Sequence, residues 1–551
     1  MDRRKQNRLS AEWAAYGDAL GFMTELADAE RVEYRLGREK VEHTHPWKRK
    51  VGGYSGQTFD LPAGTYSDDT QLRLATSRAI RSDGSFDVSA FAKVELPAWA
   101  NYALGAGVGS KEAVANLSRT SATWYSNFFD NKKSRYVNGG GNGAAMRIQP
   151  HVWASSNLLD IDAILTDVVK NSICTHGHMR GILGACFHAA SLAFAMREGH
   201  APDLEDCLDF LETLQRVPDL IEADGDLRTF WIGAWNEANS CEIQEACFTV
   251  IDEILVDIKE LNGFKSEPLN EIYPKVAKAL GAFESSSRGS GTKTAILASF
   301  VASRANTQLP HDTLLTVANA LGTDTDSIAT MAGAIIGACT NQRCEFDLQD
   351  RNYILTEAER LANISEKRDA RSFRYPNLRN WRPEKTAIDA VGLLDGNLYL
   401  NGIGPLKEIE GFPVKENEKE NIGWFNLPFG QSVLVRYRAQ PREFSSPQST
   451  PVRTAAILEQ KADPQPPGKL RDLFDQTDHD KDPLSKTGLE QMSLSEVLRK
   501  VIAEGFPPEL IGRALLMQVD NGGKEYLEKG VALTANILTA YEARTTRPRK
   551  K

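Results

Sequence analysis

Two short acidic clusters set far apart along the chain constrain its fold more than any other feature. Ser67-Asp68-Asp69-Thr70 is followed by Leu72, Ala75, Thr76, Ala79 and Ile80 at helical spacing. Asp324-Thr325-Asp326-Ser327 is followed by Ile328, Met331, Ala332, Ile335, Ile336 and Cys339 at the same spacing. Hydroxyl and carboxylate side chains are favoured at helix starts, where the first backbone N–H groups lack acceptors. One acid would satisfy that need. Each cluster carries two, with hydroxyl oxygens beside them, and four converging carboxylates repel one another unless divalent cations neutralise them. The sequence predicts that the clusters begin two helices and meet in space around a metal centre.

The rest of the composition sets the class. With 551 residues the chain has room for about three or four domain-sized units, or one large helical domain with additions. Hydrophobic residues at 41% and charged residues at 25% are those of a globular protein with an ample core. A formal charge of −9 argues against a general nucleic-acid binder. The cysteines (174, 186, 207, 241, 247, 339 and 344) form no C-x-x-C pair, which suits reduced, buried thiols in a cytoplasmic protein rather than a disulfide framework. Met1-Asp2-Arg3-Arg4-Lys5 leads into no apolar stretch, so no signal peptide is expected. No apolar run is expected to span a membrane, Met331 to Cys339 being too short.

In chain order, Ser10 opens an expected helix through Trp13 into Gly17-Asp18-Ala19-Leu20-Gly21, ending near Glu25. Two glycines within a helix point to another backbone packed close against it. Residues 31–66, with His43, His45 and Gly52-Gly53, read as a long loop or lid. From 86 to 130 the pattern is helical with aromatic punctuation (Trp99, Tyr102, Trp124, Tyr125, Phe128, Phe129), whose default place is the core. Gly139, Gly140, Gly141, Asn142 and Gly143 then form a loop in which missing Cβ atoms let backbone N–H groups approach an anion. Ala144-Ala145-Met146 resembles the first turn of a helix, whose positive end favours the same anion. The spacing matches neither a Walker loop nor G-x-G-x-x-G. Ser172 to Arg197 is predicted as a strong helix, preceded by Thr175-His176-Gly177-His178, two histidines as apt for a site as for structure. Gly289-Ser290-Gly291-Thr292 feeds another buried helix.

Past residue 345 the character changes. Arg368 to Arg382 is basic and aromatic, a segment to compare with nucleic-acid contacts or with a solvated hinge. Leu398-Tyr399-Leu400, Trp424-Phe425 and Val433 to Tyr437 read as short strands. Asp478, Asp480 and Asp482 imitate a calcium loop, but Pro483 and Leu489 stand where it needs Gly and Glu. The expected organisation is mainly α: a helical domain over 10–345, a mixed, partly β region over 346–440, a Pro/Ser/charged linker over 441–486, and a C-terminal helical region over 487–551 with a basic tail.

Oxygen donors without paired cysteines or a tight histidine set suit Mg²⁺ or Mn²⁺ better than zinc. Adjacent acids on a helix diverge by about 100°. Asp68 and Asp69 can therefore address two ions, or one ion and a substrate group, and Asp324 and Asp326 can likewise flank a pair. A two-metal site beside a glycine-rich anion cradle suggests hydrolysis of a phosphate-bearing substrate.

Gly17-Asp18-Ala19-Leu20-Gly21 with Glu25, Ser67-Asp68-Asp69-Thr70, Gly141 to Arg147 with Pro150, Thr175-His176, and Asp324-Thr325-Asp326-Ser327 occur in this order. Over about residues 12–345 the chain thereby resembles the ADP-ribosylglycohydrolase family. The resemblance implies an all-α domain with a binuclear Mg²⁺ or Mn²⁺ centre at the base of a cleft. It implies Ser67, Asp68, Asp69, Asp324, Asp326 and Ser327 as metal ligands and Glu25, Asp68 and Asp69 as catalytic acids, Glu25 being the mobile one. Gly139 to Gly143, with Asn142, would hold the diphosphate and distal ribose, and His176 would pack near the ribose. The implied reaction removes ADP-ribose from a modified protein, nucleic acid or small molecule, with the general base open between Asp68 and Glu25. The alternative is a non-catalytic ADP-ribose binder or structural member; the complete set of four aspartates and two hydroxyls favours activity. A helical His-Asp metal phosphohydrolase is a third reading, for which His311-Asp312 and His479-Asp480 lack matching partners. Residues 346–551 are expected to recruit a substrate or partner.

Overall fold

The helix at the N-terminus is the axis of the molecule. In the computed structural model, which describes residues 2–51, 56–264, 268–444, 494–504, 506–507, 510–512, 514, 534 and 537, α1 spans Arg3–Phe22. It begins well before Ser10 because the Asp2 carboxylate accepts from Lys5 N and caps it. From Ser10 to Phe22 every residue is buried, polar ones included. A helix enclosed on all sides must satisfy its polar side chains from its neighbours. Asn7 Nδ2 donates to Trp153 O and Ala358 O, Gln6 Nε2 to Met196 O, and Ser10 Oγ to Ala334 O.

The second acidic cluster begins the helix Thr325–Cys339, which runs antiparallel to α1 in backbone contact. A Cβ on Gly17 would lie 2.3 Å from Ala329 O, one on Gly333 2.4 Å from Trp13 O, and one on Gly337 2.4 Å from Leu9 O. Only glycine permits that approach. The antiparallel register carries Asp324 and Asp326 to the end of α1 where Glu25 follows.

Residues 31–66, expected as a long loop or lid, contain regular elements among the described residues. They hold α2 (Ala29–Leu36), capped by Asp28, and the hairpin of β1 (Trp47–Val51) and β2 (Gln57–Leu61), paired Trp47 with Leu61. Trp47, Phe59 and Leu61 turn inward, and Trp47 meets Phe22 edge to face at 5.2 Å. α3 (Asp68–Ala79) follows, capped by Ser67. In the 86–130 stretch, helix Val108–Leu117 is the last helical element; Trp99, Tyr102, Trp124 and Phe129 are buried as the core reading expects.

The helix predicted over 172–197 is Met179–Glu198, and Ser172 and Ile173 end the preceding helix, Ile161–Ile173. The break has a tertiary cause. Gly177 N donates to Tyr136 O at 3.2 Å, and a Cβ there would lie 2.5 Å from the Tyr136 ring. The His178 side chain then caps the second helix by accepting from Arg180 N. Met179–Glu198 is long and apolar enough to cross a membrane by length and composition, which the sequence reading did not anticipate; 89% of its most apolar window is buried inside the structure, as in a core helix.

Helix Arg351–Ser365 packs back on α1, with Glu359 paired to Arg4 and Arg8. Strands appear over 390–440 as predicted. β3 (Val391–Leu394), β4 (Asn397–Leu400) and β5 (Gly404–Pro405) form one antiparallel sheet. β6 (Lys407–Glu408), β7 (Glu420–Asn426) and β8 (Ser432–Arg438) form another. In the Arg368–Arg382 stretch the aromatic side chains turn inward, Tyr375 Oη to Glu95 at 2.7 Å and Trp381 Nε1 to Asn401 Oδ1 at 3.0 Å.

The chain divides into two compact units, 1–459 and 460–551. In the second, helix Leu494–Ala503 places Val497 and Val501 in a small apolar cluster with Phe506, Leu510, Ala514 and Ile537. The Asp478–Asp482 cluster, His479-Asp480, residues 445–486 of the predicted linker and most of 487–551 lie outside the described residues.

Candidate active site

Each acidic cluster is held by something other than its own helix. Asp18, fully buried in α1, accepts from Ser67 N at 2.9 Å and from Thr70 N at 2.8 Å. One carboxylate thus takes two of the orphan donors at the start of α3. Ser67 Oγ accepts from Asp69 N at 3.2 Å. With its backbone needs met from outside, α3 leaves both Asp68 and Asp69 free to face outward from its positive end. At the other cluster, Thr325 Oγ1 donates to Gly21 O at 2.8 Å and accepts from Thr24 Oγ1 at 3.2 Å, tying the helix start to the end of α1.

The two starts open on one cavity of about 410 Å³. Glu25, Asp68, Asp69, Asp324, Asp326, Ser327, Gly139, Gly140, Gly141, Asn142, Gly143 and His176 all line it. Ser67 does not; it is fully buried, with its hydroxyl turned to its own helix. His43, His45, His178 and His311 are also outside the lining. His311 Nδ1 is taken up by Tyr16 Oη at 3.0 Å.

Burial pushes Asp68, Asp69 and Asp326 well above the usual carboxylate range. Glu25 and Asp18 add to this at Asp68, Asp18, Asp68 and Asp324 at Asp69, and Glu25, Asp69 and Asp324 at Asp326. Asp324 is raised by burial and by Glu25, while its hydrogen bonds to Asp326 and Asn142 oppose the rise. Arg73, itself pushed down to about 10 by burial, is the buried cation that relieves Asp18 and Asp69. It does not balance the set.

The donors fit a hard cation. All are oxygens, the charge is in excess, and Asp69 Oδ2 is buried with no hydrogen-bond partner. Ser327 Oγ lies 3.4 Å from Asp69 Oδ1. Among the described residues, no three His, Cys, Asp or Glu side chains are gathered closely enough to hold an ion by themselves. Ser327 and water would complete its shell.

The glycine loop is braced by the turn before helix Gly291–Ser303. Asn142 N donates to Gly289 O and Gly291 N to Gly140 O, at 2.9 and 3.0 Å. Asn142 Nδ2 donates to Asp324 Oδ2 at 2.8 Å, joining the loop to the acidic cluster. The expected helix turn after the loop is a single 3₁₀ turn, Ala145–Arg147, followed by helix Gln149–Ala154. A Cβ on Gly143 would lie 3.0 Å from the His176 ring, so this glycine makes room for the histidine. Sequence reasoning missed Asp18, Arg73, Arg147 and Gly105 as supports. A Cβ on Gly105 would lie 2.8 Å from Asp68 Oδ1. An acid between two glycines of an apolar helix was the available signal for Asp18; Gly105 had none.

Glu25 leaves α1 on a turn held by Arg35 Nη1, which donates to Glu25 O and Met23 O at 3.0 and 3.1 Å. Its carboxylate pairs with Arg49 Nη2 of β1 at 2.7 Å, and Arg49 lies over the Phe22 ring at 4.1 Å.

A solved structure described as an ADP-ribosylglycohydrolase-related protein complex is similar to this chain at 18% identity and a TM-score of 0.40, covering 66% of this chain and 99% of that chain. The sequence pattern of ADP-ribosylglycohydrolases matches residues 13–365, which include every residue that lines the cavity. The chain belongs to the ADP-ribosylglycohydrolase family.

Proposed function

We propose that the protein is a metal-dependent hydrolase that cleaves the N- or O-glycosidic bond between ADP-ribose and a modified protein, nucleic acid or small molecule, using two divalent cations, Mg²⁺ or Mn²⁺. One observation carries the reading: five carboxylates, Glu25, Asp68, Asp69, Asp324 and Asp326, line one cavity together with the Gly139–Gly143 loop and His176. Such a concentration of buried negative charge is stable only with cations or protons bound.

Asp68, Asp69, Asp324, Asp326 and Ser327 would hold the cations. Bound there, the cations supply Lewis acidity toward ribose hydroxyls and water. The loop orients the substrate: Gly141 and Gly143 N–H groups have no acceptor among the described residues and are available to diphosphate oxygens. Asn142, clamped to Asp324, fixes the distance between that anion cradle and the acidic cluster. The carboxylates favour the positive charge that develops on the ribose as the glycosidic bond breaks. Glu25 or Asp68 takes the proton of the attacking water.

The test is to incubate the pure protein, with Mg²⁺ or Mn²⁺, with ADP-ribose linked to arginine, serine, a nucleobase and small alcohols. Release of free ADP-ribose from at least one conjugate is expected. Binding of ADP-ribose without release from any conjugate, with either metal, would establish the non-catalytic alternative instead.

A further inference from the structure

At the edge of the cavity a buried threonine hydroxyl sits between two nitrogens. Thr175 Oγ1 is 2.9 Å from Arg147 Nη2 and 2.7 Å from His176 Nδ1. All three residues are buried, Arg147 completely. A guanidinium has no acceptor, so the first contact is a donation from Arg147 to the threonine oxygen. The hydroxyl keeps one proton to give. Among the described residues the acceptor in reach is His176 Nδ1, and burial makes an unspent donor costly.

Arg147 cannot swing away. Its Nε donates to Asn171 Oδ1 and its Nη2 to Asn171 O, both at 2.8 Å, and Asn171 Nδ2 is in turn held by Thr76 Oγ1 at 3.1 Å. The free nitrogen of His176, Nε2, faces the glycine loop, 3.1 Å from where a Gly143 Cβ would stand and 3.9 Å from a Gly141 Cβ. Gly141, Gly143 and His176 all line the cavity.

We propose that Arg147 and Thr175 are positioning residues that fix His176 as the neutral Nε2–H tautomer, a standing hydrogen-bond donor to an oxygen of the bound ADP-ribosyl group and not a carrier of protons. The identity of that ligand rests on the function proposed above; the tautomer does not. Burial, and then the nearby Arg147 charge, push the His176 pKa down to about 3, so a second cation beside Arg147 is disfavoured. Proton transfer is thereby left to the carboxylates.

The experiment uses full-length protein labelled with ¹⁵N-histidine, the His176 signals being assigned by their loss in His176→Asn. The wild type and Thr175→Ser should show a protonated Nε2 and a bare Nδ1. Thr175→Val, which removes the donor at equal size, should lose that preference and bind ADP-ribose about tenfold more weakly, the effect of one hydrogen bond to a polar ligand. Thr175→Ser should retain the wild-type affinity. A protonated Nδ1 in the wild type overturns the proposal whether or not the valine variant folds. So does a Thr175→Val protein with an unchanged tautomer. Failure of the wild type to bind ADP-ribose would overturn the proposed function while the spectrum still decided the tautomer.

Discussion

Gly21 and Thr325 meet backbone to backbone, although most of the helical domain separates them in sequence. A Cβ on Gly21 would lie 2.4 Å from Thr325 O, and Thr325 Oγ1 donates to Gly21 O at 2.8 Å. This contact sets the second acidic cluster beside the exit of α1, from which Asp18 braces the first cluster and Glu25 enters the cavity. The geometry of the site is thus a consequence of how closely two helix backbones approach.

Widening that approach should therefore cost stability. Gly333→Ala places a Cβ against Trp13 O, which is backbone and cannot rotate aside. A loss of about 1–3 kcal/mol, the usual cost of overpacking, is expected as a lower Tm. Gly233→Ala is the control. It lies exposed in helix Ile232–Asn239 with nothing near its Cβ, and should gain about 0.5–1 kcal/mol from helix propensity. Equal effects of the two substitutions would refute the backbone-contact argument.

Removing a carboxylate from the cavity should separate folding from function. Asp69→Ala and Asp324→Ala are expected to abolish ADP-ribose release and to leave the circular dichroism helical. Retained turnover in both would sink the metal assignment.

Ion binding should also be visible without catalysis. A ligand that binds only the folded state raises Tm by mass action. Mn²⁺ is expected to raise the wild-type Tm, and the shift should shrink in Asp69→Ala, which removes the unpartnered Oδ2. An equal shift in both proteins would place the ion elsewhere.

The Arg49–Glu25 pair joins the hairpin to the cavity. Arg49→Ala leaves Glu25 without its partner and should lower kcat by about tenfold, the scale of one charge-assisted hydrogen bond. Arg49→Lys should restore part of the loss. An unchanged kcat in Arg49→Ala would show that Glu25 is oriented without the hairpin.

Two buried histidines away from the cavity make a pH prediction. His151 and His188 are pushed down to about 3, chiefly by burial, and each has an Nδ1 with no partner. A histidine that is harder to protonate when folded contributes its full stability above the unfolded value of about 6.5 and loses it as pH falls toward 3. Asp167 and Asp350, pushed up to about 6 by burial, act in the opposite sense. The measurement is therefore a difference: between pH 7.5 and 5, His188→Gln should lose less Tm than the wild type. Parallel curves would show that His188 does not titrate with unfolding.

Much of this protein was legible in its sequence because it is recorded locally. Helix starts at Ser67 and Asp324 follow from capping chemistry and apolar spacing, Gly17 and Gly21 announce a close neighbour, and the alternation near Val433 announces a strand. Residues whose role lies in a distant partner leave no such record. The hairpin at 47–61 was read as a loop because its inward positions are few and Trp47 meets its partner, Phe22, in another element. The break at 174–178 pairs a glycine in the pattern, Gly177, with a distant partner, Tyr136, that the pattern does not show. Ser67, placed among the metal ligands by resemblance, is fully buried outside the cavity lining, and its Oγ accepts from Asp69 N. Asp18 had no assigned role until the folded chain set two N–H groups of another helix before it. The sequence by itself determined that the segments after Ser67 and Asp324 are helices and where their acids stand. Only the tertiary structure decided which acids face one another, because that depends on backbone contacts between segments that the chain keeps far apart.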